Sequence, residues 1–157
     1  MSIPSVPFGK EQIEVVIPHR SPFLLLEKVT EMESGKRIVA ELMVDAENPV
    51  FKGHFPGNPV LPGVYQVEGL AQTSGVLVGY MPGLNFSSCV LTTVDKVRFR
   101  YVVKPGELLR YEVELVKHRA GFFWFEGKAF VGDQLACSAE FSARSSSESR
   151  NPLICYG

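Results

Sequence analysis

The sequence has little of what marks a secreted, metal-binding or membrane protein. Its three cysteines, Cys89, Cys137 and Cys155, are far apart and form no CxxC pair, so neither a disulfide framework nor a zinc site is expected. No apolar run approaches the roughly 20 residues of a membrane span, and the first residues lack the basic and apolar blocks of a secretory signal. We therefore expect a cytoplasmic protein with no membrane partner, no metal and no cofactor.

An excess of either charge is also absent. Lysine plus arginine number 16 and aspartate plus glutamate 17, so the chain has no overall basic field that would favour nucleic acid. A charged partner therefore requires a local patch. One predicted strand alternates basic with apolar residues, which places its charges on one face. The basic residues of this patch are Lys96, Arg98, Arg100 and, just beyond the strand, Lys104. A solvated sheet face with scattered ion pairs would give the same pattern.

The order of the predicted elements favours one α+β domain. The pattern predicts a short helix at 10–17, strands at 23–32 and 37–44, a long helix from Pro62 through Val78, and strands at 89–101, 108–118, 122–131 and 134–141. Turn sequences such as Pro105-Gly106 and Gly132-Asp133 suit antiparallel connections. This order is best explained by an antiparallel sheet that wraps around the apolar helix and buries it. Residues 1–143 form the expected domain, and the polar residues 144–157 are expected to be a loose tail.

The most informative segment is the loop from Gly53 to Val64, with the helix that follows it. Its prolines fix φ and its glycines permit unusual backbone angles, so the loop is expected to hold His54 in one orientation. The helix is apolar on nearly all sides, which predicts burial. Glu68 and Gln72 are its polar exceptions, four residues apart on one face. A histidine in a stiff loop and a carboxylate in an apolar helix together suggest an acid–base pair.

Several motifs occur in a fixed order between Glu11 and Ala143. They are Ile17–Leu25 (IPHRSPFLL), Gly53–Gly57 (GHFPG), Pro62-Gly63-Val64, Glu68 with Ala71-Gln72, and Asp95–Arg100 (DKVRFR). In these motifs the sequence resembles the FabZ type of β-hydroxyacyl-acyl-carrier-protein dehydratase, which has the hot-dog fold. Leu61, Tyr65 and Gln66 depart from the residues usual in that family, which bears on acyl-chain preference. The related FabA type, which also isomerises its product, has aspartate at the position of Glu68.

The resemblance implies loss of water from a (3R)-3-hydroxyacyl thioester to give the trans-2-enoyl thioester in fatty acid biosynthesis. We assign His54 as the base at C2, because a neutral imidazole accepts a proton near neutral pH. Glu68 is assigned as the acid at the C3 hydroxyl, because burial in apolar surroundings favours the protonated carboxyl. The free amide of Gly63, at the start of the helix, is assigned to the thioester carbonyl oxygen.

Four further residues are expected to support substrate binding: Gln72, Phe55, Val64 and Tyr65. Gln72 would orient Glu68 or hold the released water, although a bond to backbone is nearly as good an explanation. His19 is expected to be structural more than catalytic.

The resemblance also implies partners. The acyl carrier protein is acidic, so the basic patch is the expected docking surface. A homodimer, or a trimer of dimers, is expected, with His54 and Glu68 of each site supplied by different chains. Two alternatives stay open: another hot-dog thioester enzyme, such as a thioesterase or a CoA-dependent enoyl hydratase, and a non-catalytic acyl-binding protein.

Overall fold

A computed structural model describes residues 1–146. Its elements are β1 (Phe8–Gly9), α1 (Lys10–Val16), β2 (Lys28–Glu33), β3 (Arg37–Met43), a 3-10 helix (Pro49–Lys52), α2 (Gly63–Gly79), β4 (Ser88–Phe99), β5 (Leu108–Arg119), β6 (Phe122–Val131) and β7 (Gln134–Ser146). The strands form one seven-stranded sheet in the order β1-β2-β3-β5-β6-β7-β4, and every neighbouring pair is antiparallel. The predicted α+β class, with an antiparallel sheet around a central helix, is confirmed.

The long helix α2 lies in the core of the molecule. Leu70, Val76 and Val78 have no exposed surface, as the all-round apolar pattern predicts. Its buried hydroxyls are satisfied locally, because Thr73 donates to the carbonyl of Gly69 at 2.7 Å and Ser74 to an alanine carbonyl at the same distance. A helix of this kind can carry a charged side chain only where a cavity or polar partners accept it.

The edge strand β4 departs from the regular alternation that the sequence predicted for residues 96–101. Its pairing with β7 shifts between Asp95 and Arg98, and Lys96 there has a φ of 49°. Val97 packs against the core as expected, but Phe99 is 51% exposed. The irregularity turns its ring away from the core and towards the start of α2, 2.9 Å from where a Cβ on Gly63 would stand.

Two predicted boundaries differ from the structure by five residues, and the others by at most two. The strand predicted from residue 23 begins only at Lys28, because residues 23 and 24 donate to the carbonyl of Arg20 and form a turn. At the other end, β7 continues to Ser146, so three residues assigned to the tail belong to the sheet. Residues 147–157 lie outside the described part of the chain, and for them the tail stays a prediction. Within residues 1–146, no helix is long and apolar enough to cross a bilayer.

A close contact between α2 and β5 sets how near the helix lies to the sheet. Tyr111 of β5 is fully buried, and its ring and hydroxyl lie 2.2 Å from where a Cβ on Gly69 would stand. Removal from water raises the pKa of Tyr111, and within the described residues its hydroxyl has no hydrogen-bond partner. Because Gly69 directly follows Glu68, the contact also fixes the position of that carboxylate.

We predict that Gly69→Ala lowers the free energy of unfolding by about 1–2 kcal/mol, because the new Cβ overlaps the Tyr111 ring at a cost of about 2–3 kcal/mol. This cost exceeds the gain of about 1 kcal/mol that alanine brings as the better helix former. Urea unfolding followed by circular dichroism measures the change. Gly53→Ala is the matched control, because a Cβ there would meet nothing within 4 Å. A Gly69→Ala protein as stable as the wild type would contradict this packing.

Candidate active site

The Glu68 carboxyl lies beside a cavity of about 680 Å³, within the size range of small-molecule pockets. The residues that line it are Ile17, Pro18, His19, Glu68, Ala71, Gln72, Gly75, Phe86, Cys89, Val90, Leu91 and Thr92. Its polar groups cluster around Glu68, and most of the remaining wall is apolar. Burial raises the pKa of Cys89 to about 12, so its thiol stays protonated and is a poor nucleophile.

Glu68 has polar as well as apolar neighbours: the contact with Gln72 agrees with the expected orienting role, whereas the contact with His19 was not expected. Its side chain is 23% exposed. Gln72 Nε2 donates to Glu68 Oε1 at 3.0 Å, and His19 Nε2 lies 3.4 Å from the same oxygen. The structure thus brings together the two polar residues that the sequence placed on one helix face, and adds a histidine from outside the helix.

The orientation of the Gln72 amide is fixed by the backbone around it. Gln72 is 1% exposed; its Oε1 accepts from Leu25 N at 2.8 Å and its Nε2 donates to Phe23 O at 2.8 Å. A flipped amide would set two donors against each other at Leu25 and two acceptors at Phe23. Gln72 Nε2 is therefore the donor in its bond to Glu68.

This assignment determines which oxygen of Glu68 can carry a proton. Since Oε1 already accepts from Gln72, a protonated carboxyl carries its hydrogen on Oε2. Within residues 1–146, Oε2 has no hydrogen-bond partner. Oε2 is therefore the oxygen of Glu68 that is left free to meet a bound molecule.

His54 is held by its own loop. Its Nδ1 lies 2.7 Å from Val60 O, so in the neutral ring Nδ1 carries the hydrogen and Nε2 is the basic atom. The backbone is fixed on both sides, because His54 N donates to Val50 O at 3.0 Å and Val60 N donates to His54 O at 3.0 Å. The ring also stacks on Phe55 at 3.9 Å between centroids. The loop thus holds the ring through Nδ1, and Nε2 has no hydrogen-bond partner among residues 1–146.

A single chain does not join the two candidate groups. Among the described residues, His54 and Glu68 share no hydrogen bond or ion pair. His54 is also absent from the wall of the cavity beside Glu68. Each group is ordered by its own neighbours, and no contact within the described part of one chain joins them.

Of the other predicted substrate contacts, Gly63, Val64 and Tyr65 lie in the first turn of α2 and Phe55 lies in the loop before it. Gly63 is the first residue of the helix, where an amide N–H has no partner within the helix. Val64 is 67% and Phe55 50% exposed, while Tyr65 is half-buried and meets the Phe23 ring edge-on at 5.7 Å. Exposed large apolar side chains beside a free amide are typical of a surface that binds a ligand or another protein chain.

Three of the four basic residues of the patch have no ion-pair partner among the described residues, because Lys96 pairs with an acidic residue. Lys96 pairs with Glu140 at 3.0 Å. Arg98, Arg100 and Lys104 are exposed, and the described residues give them no ion-pair partner. The same part of the chain contains no group of three or more His, Cys, Asp or Glu side chains that could hold a metal ion.

A family model and the similar proteins of known name indicate the same family for this chain. A family model described as a FabA-like domain matches residues 17–140. The 3-hydroxyacyl-[acyl-carrier-protein] dehydratase FabZ of Alkaliphilus metalliredigens is 46% identical over 131 residues, covering 83% of this chain and 89% of that protein. The protein of the same name from Chloroflexus aggregans is 45% identical over 130 residues, covering 83% and 90%.

Solved structures share the fold. The dehydratase heterocomplex ApeI:P from Xenorhabdus doucetiae superposes with a TM-score of 0.75 at 20% identity, covering 92% of this chain and 94% of that one. The uncharacterized protein PH1136 from Pyrococcus horikoshii gives a TM-score of 0.64 at 17% identity, covering 91% and 97%. At such identities the likeness concerns the fold alone.

Proposed function

The chain belongs to the FabA-like family, and from this membership and the site we propose that it is a 3-hydroxyacyl-[acyl-carrier-protein] dehydratase of the FabZ type. The reaction converts a (3R)-3-hydroxyacyl thioester to the trans-2-enoyl thioester and water, a step of fatty acid biosynthesis. Curated relatives named for this activity are 40–46% identical over most of the chain. The structural observation that carries the proposal is the Glu68 carboxyl, anchored through Oε1 and free at Oε2, beside a cavity for the acyl chain.

His54 is proposed as the base that removes the C2 proton. Its Nε2 takes the proton while Nδ1–H stays bonded to Val60 O, so the imidazolium that forms keeps its orientation. The electron pair of the C2–H bond moves towards the thioester carbonyl. The free N–H of Gly63, at the positive end of the α2 dipole, is proposed to stabilise the developing negative charge on that oxygen.

Glu68 is proposed as the acid that completes the elimination. Oε2 gives its proton to the C3 hydroxyl, the C3–O bond breaks, and the electron pair from C2 forms the double bond as water leaves. Oε1 keeps its bond to Gln72 throughout, so the carboxyl need not rotate. One turnover leaves His54 with an extra proton and Glu68 without one, and exchange with solvent restores both.

A second copy of the chain is proposed to complete the site. The described part of one chain shows no contact between His54 and Glu68, and β4 is an edge strand of the sheet that residues 1–146 form. Pairing of two β4 edges would continue the sheet and cover the exposed Phe55 and Val64. We propose a homodimer in which His54 of one protomer meets Glu68 of its partner. Assembly of three dimers into a hexamer would leave that shared site unchanged.

The acyl carrier protein is proposed to dock on the basic patch. Arg98, Arg100 and Lys104 are the exposed, unpaired members, and Phe99 in the same run lies against Gly63, so the patch adjoins the start of α2. An acidic carrier held there would deliver its thioester near the proposed Gly63 amide. Lys96 contributes less, because Glu140 already neutralises it.

The activity is tested by incubating the protein with 3-hydroxybutyryl carrier protein and measuring the enoyl product by mass spectrometry. His54→Ala and Glu68→Gln should each reduce turnover by about 10²–10⁴-fold, because each removes one proton-transfer group. Circular dichroism confirms that both variants are folded. No product from the wild type would refute the proposed function, and undiminished turnover in either variant would refute the role of that residue.

Docking is tested by reversing two charges of the patch, Arg98→Glu with Arg100→Glu. We expect KM for the carrier-bound substrate to rise at least about 10-fold, while KM for an N-acetylcysteamine thioester stays the same, because only the carrier is acidic. The matched control reverses two lysines elsewhere on the sheet, Lys28→Glu with Lys128→Glu, and gives the same net charge. Equal effects on both substrates, or an equal effect of the control, would contradict docking at this patch.

A further inference from the structure

His19 approaches Glu68 from a different part of the chain than Gln72 does. It lies between α1 and β2, lines the cavity, and is 28% exposed. Its Nε2 lies 3.4 Å from Glu68 Oε1, which is contact distance but longer than a formed N–H···O bond, and Gln72 donates to the same oxygen. Two neighbours therefore converge on one oxygen, one from within α2 and one from across the cavity wall, and neither engages Oε2.

The segment that carries His19 is held in place at several points. Arg20 Nη1 donates to Ile17 O at 2.9 Å and to His19 O at 2.7 Å, and its Nη2 donates to Glu14 O at 3.0 Å. The His19 ring stacks on Phe23 at 6.5 Å between centroids. The bonds from Gln72 to the same segment tie it directly to α2. The imidazole is therefore preorganised beside the carboxyl.

The two nitrogens of His19 have different surroundings. Nδ1 is buried and, among the described residues, has no partner, whereas Nε2 faces Glu68. Since Oε1 is an acceptor, the ring contributes most as the tautomer with its hydrogen on Nε2. A doubly protonated ring would bury a second N–H without an acceptor, which costs more than an unused acceptor lone pair. The arrangement suits a neutral donor better than a cation.

We propose that His19 is a positioning residue for the acid of the reaction. As a neutral donor it joins Gln72 in holding Oε1, so that the proton of Glu68 stays on Oε2 and points at the C3 hydroxyl. A neutral donor also directs the carboxyl without the full positive charge that would favour its ionised form. His19 acts through Glu68 and exchanges no proton with the substrate. This inference rests on the proposed dehydratase function and assigns an additional residue to it.

The test compares variants that keep or remove the donor. Glutamine places its Nε2 the same number of bonds from Cα as histidine does, so His19→Gln keeps a neutral N–H towards Glu68. His19→Leu and His19→Met fill similar space without a donor. With 3-hydroxybutyryl carrier protein, we expect the two apolar variants to lose about 10- to 100-fold in kcat with little change in KM, because the acid is misaligned while binding is kept. His19→Gln should retain most of the wild-type kcat.

The controls separate this inference from the function it rests on. Wild-type turnover, measured first, tests the function itself, and its absence would refute the dehydratase. His118→Leu removes an exposed histidine of β5 that stacks on Phe123 and should leave kcat unchanged. Thermal unfolding is recorded for each variant. With an active wild type, unchanged kcat in both apolar variants would overturn the inference. So would a His19→Gln protein as inactive as they are, because His19 would then transfer a proton itself.

Discussion

The buried side-chain amide of Gln72 links the central helix α2 to the segment before β2. Gln72 joins Leu25 N and Phe23 O to the Glu68 carboxyl through three hydrogen bonds, each between 2.8 and 3.0 Å. Loss of this side chain would leave two backbone groups without their partner, at a cost of about 1–3 kcal/mol for each buried group left unsatisfied. The interaction that fixes the fold at this point also selects the oxygen of Glu68 that can donate a proton. Stability and the proposed chemistry therefore depend on the same amide.

Close packing at glycine keeps that helix where the site needs it. Gly69 lets the Tyr111 ring lie directly against the helix backbone, and Gly63 does the same for the Phe99 ring at the helix start. The first contact fixes the residue next to Glu68, and the second leaves the free amide of Gly63 beside an exposed aromatic ring and the basic patch. A larger side chain at either glycine would move the helix relative to the sheet or alter the approach of a substrate.

The sequence predicted the parts of the fold that rest on long periodic patterns. The long apolar run after Pro62 predicted α2, and alternation with turn residues predicted the long strands. The irregularity at Lys96, where the pairing with β7 shifts and Phe99 turns outward, could not be predicted from the sequence. The register of a strand depends on its partner strand, which the local pattern does not contain. The contact between His19 and Glu68 was also missed. The two residues are far apart in sequence, and nothing in the local pattern around His19 distinguishes a structural histidine from one that positions an acid.

The central claim is that His54 and Glu68 act together across two chains, because no contact within the described part of one chain joins them. It is tested most directly by mixing His54→Ala and Glu68→Gln subunits after reversible dissociation and measuring dehydration of 3-hydroxybutyryl carrier protein. If the site is shared, about half of the randomly formed dimers contain one of each subunit, and each of these has one intact site of two, so about a quarter of the wild-type turnover should return. A mixture as inactive as its two components would contradict the shared site.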